Sequence, residues 1–284
     1  MISSRVAVIG HRGASFWAPE ETAPAFLLAR ELGADWLEMD IQRTKDGVLI
    51  AHHDGDLART TDCATVFPGR ERDGVHTFTW DEVRRLDAGS WFNAKQRDRA
   101  RESFRGLVIQ RLEDVIGIGE KGAPAQGLYI ETKLASRFPG IEEELVGLLR
   151  NRGWFGRTHF QSFEPDSLER LRELAPGVPS TYLIRASMVR QQGWRRLLHD
   201  ACRIATVIGP DLGCMVRRHW VVGEAHRLGL EVHPWTVDPK WMMRLALGLG
   251  ADGLFTNRCD VMLKHVGRPG PAVDSLWERI GYKR

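Results

Sequence analysis

Short apolar runs alternate with amphipathic runs along this whole chain, and that rhythm restricts its fold more than any other feature. The segments Arg5–Gly10, Trp36–Gln42, Gly127–Thr132, Thr158–Phe163, Pro179–Ile184, Ala205–Gly209, Glu231–Val237 and Asp252–Thr256 read as strands. Between them lie helical runs such as Ile141–Arg152, Pro165–Leu174 and Arg218–Leu228. Their apolar residues recur at i, i+3 and i+4, as Leu145, Leu148 and Leu149 do. Glycines follow the helices at Leu32-Gly33, Arg152-Gly153 and Leu228-Gly229, where a C-cap calls for a left-handed residue. Alternating β and α elements imply a parallel sheet, and eight such units predict a closed (β/α)8 TIM barrel. An open doubly wound sheet is the alternative, but no GxGxxG follows the first strand. The 284 residues are read as one domain spanning 1–284.

One interval breaks the rhythm. From Gln42 to Gly127 there is far more chain than one crossover needs. Asp46-Gly47 signals a hairpin leading to a further strand, Val48–His53. Thr79 with Glu82 three residues on is a capping box that starts a helix. Residues from about 54 to 107 are expected to form a cap over the mouth of the barrel, because long βα insertions sit at that face. Its aromatic residues Phe78, Trp80, Trp91, Phe92 and Phe104 suit either an apolar groove or the cap's own core. After Gly267, a short amphipathic run at Asp274–Ile280 is expected to pack on the barrel exterior.

Bulk composition excludes several classes. With 43% hydrophobic and 27% charged residues the chain can bury a sizeable core. A net charge of +3 is too small for a nucleic-acid binder. The run Arg97, Arg99, Arg101, Arg105 reads as a solvated face, or as a rim attracting an anionic substrate. Cys63, Cys202, Cys214 and Cys259 are scattered and form no CxxC pair, so they read as free thiols. With no visible signal peptide and no apolar stretch of spanning length, a soluble, cytoplasmic protein is expected. The oligomeric state is left open.

The chemistry gathers where strands end. The C-terminal ends of barrel strands open into the active site, which puts His11 and Arg12 of Gly10-His11-Arg12-Gly13 at the mouth of the first strand. On the second strand, Glu38 and Asp40 lie two apart and so face the same way. Two carboxylates on an apolar strand repel and lose hydration unless a cation joins them, or unless they are solvated or salt-bridged. On the next barrel strand Glu131 and Lys133 again share a face. Three carboxylates make an all-oxygen site for one divalent cation, Mg²⁺ or Ca²⁺, with Mn²⁺ also suited. Lys133 suits a phosphate oxygen. Of His52 and His53 only one can face the site, and its place after the carboxylate strand selects His53.

These residues carry a resemblance. His11-Arg12-Gly13, Pro19-Glu20-Glu21-Thr22, Glu38-Met39-Asp40 and His53-Asp54 with Leu57-Ala58-Arg59-Thr60-Thr61 resemble the signature of glycerophosphodiester phosphodiesterases. The likeness continues through Gly89-Ser90-Trp91-Phe92, Glu131-Thr132-Lys133, Gln161-Ser162-Phe163, Trp235-Thr236-Val237 and Gly253-Leu254-Phe255-Thr256-Asn257. It implies hydrolysis of small-molecule glycerophosphodiesters to glycerol 3-phosphate and an alcohol, with His11 and His53 as the acid–base pair. It further implies Glu38, Asp40 and Glu131 as cation ligands, Arg12 and Lys133 as phosphate contacts, and Glu20 as a residue that orients them. Trp235 and Phe163 would line the alcohol pocket, although both also suit plain barrel core. Gln161 reads equally as a neighbour of the cation site or as a strand-end residue. The resemblance leaves open which histidine is the acid and whether water or a substrate hydroxyl attacks. A lysophospholipase D-like hydrolase using the same site is the alternative activity. Two positions depart from the family's pattern: Glu21 stands where Asn is usual, and Asn257 where Asp is frequent. Glu21 either turns outward or tunes the choice of metal or substrate.

Overall fold

The computed structural model of the protein describes residues 6–122 and 126–283. Among the described residues nine strands follow in chain order: β1 (Ala7–Gly10), β2 (Trp36–Arg43), β3 (Leu49–Ala51), β4 (Gly127–Thr132), β5 (Thr158–Ser162), β6 (Ser180–Ile184), β7 (Val207–Pro210), β8 (Glu231–Val232) and β9 (Gly253–Thr256). The parallel ladder runs β8-β7-β6-β5-β4-β2-β1-β9, with β3 antiparallel on β2. Backbone bonds from Asp252 N to Val232 O (2.9 Å) and from Phe255 N to Pro234 O (3.1 Å) draw β9 against the β8 segment. The expected (β/α)8 barrel is therefore the fold of this chain. Ile9, Tyr129 and Phe255 fill its interior, while the outward faces of the strands pack under the helices.

Several strands are a residue or two shorter than the sequence pattern suggests, and two are cut back further. The run expected at Glu231–Val237 pairs regularly only over Glu231–Val232. Pro234 has no N–H to give to a ladder, and the chain rejoins the sheet through a bridge between Asp211 and Trp235. The hairpin strand expected at Val48–His53 is reduced to Leu49–Ala51, after which Ala51 N donates to Gln110 O outside the hairpin. Of the first expected strand, Arg5 lies outside the described residues.

Residues 54–107 hold short helices at Cys63–Val66, Trp80–Val83 and Ser90–Lys95. The capping box forms: Glu82 N donates to Thr79 Oγ1 (3.3 Å) and Thr79 N donates to Glu82 Oε2 (2.8 Å). Leu57, Cys63, Val75, Phe78, Val83 and Leu86 pack with Ile50 as a core separate from that of the barrel. Phe92 and Phe104 are buried, and Phe104 meets Trp277 of the helix Val273–Arg279 at a centroid distance of 5.7 Å. No helix among the described residues is long and apolar enough to cross a membrane.

The turn after β1 sets the first site residues in place. Gly13 has φ +81, and a Cβ there would lie 2.5 Å from the backbone carbon of Ala25. Gly13→Ala is expected to lower the unfolding free energy by about 1–3 kcal/mol, read from urea denaturation, because both the dihedral and the contact become strained. An unchanged urea midpoint would contradict this packing of the turn.

Candidate active site

The site is built by strand register. Asp40 of β2 pairs with Glu131 of β4, and Glu131 pairs with Gln161 of β5, so three polar residues stand side by side at one end of the barrel. Glu38 lies two residues before Asp40 on the same face. Glu38, Asp40 and Glu131 are buried, and one carboxylate oxygen from each lies within 4.8 Å of the others.

The neighbouring cations lean onto this cluster. Arg12 donates its backbone N–H to Glu38 Oε2 at 2.7 Å, and its Nε lies 3.1 Å from Asp40 Oδ2. Its guanidinium also reaches Glu20 Oε1 at 2.8 Å, and Arg59 holds both oxygens of Glu20 from the other side. Lys133 Nζ lies 2.9 Å from Glu131 and 3.6 Å from Asp40. Gln161 Nε2 donates to Glu38 Oε1 at 2.7 Å. Arg12, Glu21 and Leu134 are the non-glycine residues with positive φ among those described. All three sit in or beside the cluster, where strained backbone often marks function.

The charges are unevenly shared. Burial, together with the charge of Asp40, pushes the Glu38 carboxyl well above its usual range. Burial and Asp40 also lift Glu131 to about 8. Burial alone would raise Asp40 as well, but Lys133 and Arg12 outweigh it and hold that carboxyl far below its usual range. Glu21 does not turn outward. It is buried, and its Oε1 accepts the N–H of Asp40 at 2.9 Å. Burial, Asp40 and Glu38 raise its carboxyl in turn. Glu21 Oε2 and Gln161 Oε1 are buried without a hydrogen-bond partner, and Asp40 Oδ2 has only its ion pair with Arg12. Clustered carboxylates with orphaned buried oxygens and an all-oxygen donor set fit a hard divalent cation.

The two histidines border the cluster. His11 Nδ1 lies 2.8 Å from Asn257 Oδ1, and His53 Nδ1 lies 2.7 Å from Asp54 Oδ1. Burial and the adjacent Arg12 bring the His11 imidazole down to about 3. His52 points away, buried, with Nε2 2.8 Å from Asp56 O. One cavity of about 70 Å³ is lined by His11, Arg12, Glu38, His53, Glu131, Lys133, Gln161, Phe163 and Trp235. Asp40 and Glu20 are not part of that lining. Trp235 donates Nε1–H to Gly209 O at 2.6 Å and meets Phe163 edge-on at 5.7 Å, so both rings form a wall of the cavity. Sequence reasoning gave no role to Asp54, Asp238 or Arg59. Asp54 and Arg59 adjoin or follow His53, and Asp238 follows the Trp235 strand end, so a search for partners next to chosen residues would have found them.

Comparison with known proteins gives a single picture. Residues 11–261 match the Glycerophosphoryl diester phosphodiesterase family. A glycerophosphodiester phosphodiesterase of Bacillus subtilis (strain 168) is 34% identical over 266 residues, covering 92% of this chain and 86% of its own length. One from Caldanaerobacter subterraneus is 32% identical, covering 93% of this chain and 98% of its own. A solved structure from Silicibacter pomeroyi, 28% identical, superposes with a TM-score of 0.79 over 95% of this chain and 96% of that one. The fold is also shared, at 23% identity and a TM-score of 0.73, by a phosphodiesterase of Oleispira antarctica solved with the product sn-glycerol-3-phosphate. That likeness covers 92% of this chain and 96% of that one.

The electrostatics predict a pH signature. Glu131, raised from 4.5 to about 8, takes up a proton on folding between those values. Cation-free protein is therefore expected to lose stability as pH rises from about 4.5 to about 8. A bound divalent cation should flatten that slope, and its affinity should tighten across the same window. Thermal unfolding in EDTA and in Mg²⁺ at several pH values measures both. A slope that is the same with and without cation would contradict the cluster's assignment.

Proposed function

Because the chain belongs to the Glycerophosphoryl diester phosphodiesterase family, a family of phosphoric diester hydrolases, we propose that it splits glycerophosphodiesters into glycerol 3-phosphate and an alcohol. The observation that carries this reading is one cavity lined by two imidazoles, two cationic side chains and the carboxylates of Glu38 and Glu131, with Asp40 clustered beside those two acids. Glu38, Asp40 and Glu131 would hold one divalent cation, Mg²⁺ or Ca²⁺, with Mn²⁺ as a third candidate. Such an ion, when bound, draws charge from a phosphate oxygen and favours ionisation of a nearby hydroxyl.

The chain's own residues do the rest. Arg12 and Lys133 supply positive charge where the phosphoryl oxygens become more negative. Glu20, held by Arg59, keeps the Arg12 guanidinium directed into the site. His11, neutral through burial, accepts the proton of the attacking hydroxyl. His53, oriented through Nδ1 by Asp54 at 2.7 Å, donates a proton to the departing alkoxide. Water attacking gives glycerol 3-phosphate directly; a neighbouring hydroxyl of the glycerol would expel the alcohol to form a cyclic phosphate, which water then opens to glycerol 3-phosphate with the two histidines exchanging roles. Phe163 and Trp235 shape the space for the leaving alcohol. The whole chain acts as one barrel domain, with residues 54–107 contributing Asp54 and Arg59 to the rim of the site.

A lysophospholipase D-like activity is not favoured. It calls for an apolar groove, and the insertion's aromatic residues are spent elsewhere: Phe78 in the local core, Phe92 and Phe104 against each other and Trp277.

His11→Ala and His53→Ala are each expected to lower kcat by roughly 10²–10⁴-fold while cation affinity is kept. Turnover near that of the unmodified enzyme in either variant would reject the pair. Rigorous chelation is expected to abolish release of glycerol 3-phosphate, and Mg²⁺, Ca²⁺ or Mn²⁺ to restore it. Full activity in the chelated enzyme would reject the cation's part.

A further inference from the structure

Asn257 sits between His11 and a second acid. Its Oδ1 lies 2.8 Å from His11 Nδ1 and 2.7 Å from Ser15 Oγ, and its Nδ2 donates to Asp238 Oδ2 at 2.7 Å. The other oxygen of Asp238 accepts the backbone N–H of Asn257 at 2.8 Å and the hydroxyl of Thr256 at 3.1 Å. Ionised carboxylates accept hydrogen bonds and give none, so the amide can face Asp238 only through its NH₂ group. That fixes which end of the amide meets the histidine. The carbonyl oxygen left facing His11 is itself only an acceptor, so Nδ1 must carry the hydrogen. Nε2 is then the unprotonated nitrogen available to the cavity.

From this chain of donors and acceptors we infer that Asp238 and Asn257 are positioning residues that hold His11 as the Nδ1–H tautomer, with Nε2 ready to accept a proton. The inference rests on the reading of His11 as a proton acceptor given above. It explains how a site with a neutral amide beside His11 can keep the histidine oriented. Asp54 presents a carboxylate directly to His53, whereas Asp238 reaches His11 only through a neutral amide. The two imidazoles are thereby given unequal partners. Once His11 Nε2 takes the nucleophile's proton, the ring still keeps its Nδ1–H bond to Asn257, so orientation survives the step.

The test begins with the unmodified protein. In ¹⁵N-histidine spectra of the Mg²⁺-loaded enzyme, neutral His11, identified by its loss in His11→Ala, is expected to show a protonated Nδ1 and an unprotonated Nε2. The opposite tautomer would overturn the inference without any variant having to fold. Asp238→Asn removes the acceptor-only anchor, lets the amide turn over and admits the other tautomer. Its kcat for glycerophosphocholine is expected to fall roughly 10–100-fold with KM little changed. Exchanging the pair, Asp238→Asn with Asn257→Asp, again leaves only an acceptor facing Nδ1, and is expected to recover most of the loss and restore the Nδ1–H signal. Wild-type kcat in Asp238→Asn, or a double variant as impaired as the single one, would overturn the positioning role. Undiminished turnover in His11→Ala would instead defeat the underlying reading of His11, so the two failures are distinguishable.

Discussion

Three acidic side chains share a space of a few ångströms inside a barrel that excludes most water. Like charges at that spacing, with little hydration, repel strongly, and the arrangement persists only if positive charge meets it. Arg12 and Lys133 supply such charge beside Asp40 and Glu131, and burial next to Asp40 raises the carboxyls of Glu38 and Glu131. The side chains best suited to grip a phosphate are thus occupied with the acids. A divalent ion among the three carboxylates would free both to turn toward substrate. The same repulsion that makes the site costly to fold makes it receptive to a cation.

The rest of the barrel serves to hold that cluster in place. Parallel register sets Asp40 beside Glu131 and Glu131 beside Gln161, so the donor set comes from strands whose spacing cannot drift. The turn after β1 brings the backbone of Arg12 onto Glu38, and Glu21, in a left-handed conformation, folds back onto the N–H of Asp40. The loops after β8 and β9 supply Asp238 and Asn257; Asn257 meets His11 at the end of the adjacent β1–β9 pair, and Asp238 holds Asn257.

Much of this was legible in the sequence because barrel strands obey simple rules. Alternation placed Glu38 with Asp40 and Glu131 with Lys133, and the strand-end rule placed His11 and Arg12 at the mouth. What was not legible depended on contacts between distant parts of the chain. Asn257 is 246 residues from His11, and no spacing rule joins them. The inward turn of Glu21 follows from a backbone dihedral that its residue type does not announce. The aromatic residues of the insertion fitted a groove or a core equally well, until Phe104 was seen against Trp277 near the other end of the chain. The strand at Glu231 was overextended because apolar and β-branched residues continue past Pro234, where the ladder loses its donor.

The central claim, that the acid cluster is a cation site, is tested most directly by a crystal soaked in Mn²⁺ and measured for anomalous scattering. The account predicts one peak within bonding distance of oxygens from Glu38, Asp40 and Glu131, with Arg12 and Lys133 displaced from their carboxylate partners. No peak there, or a peak held by other residues while the three acids keep their ion pairs, would contradict it.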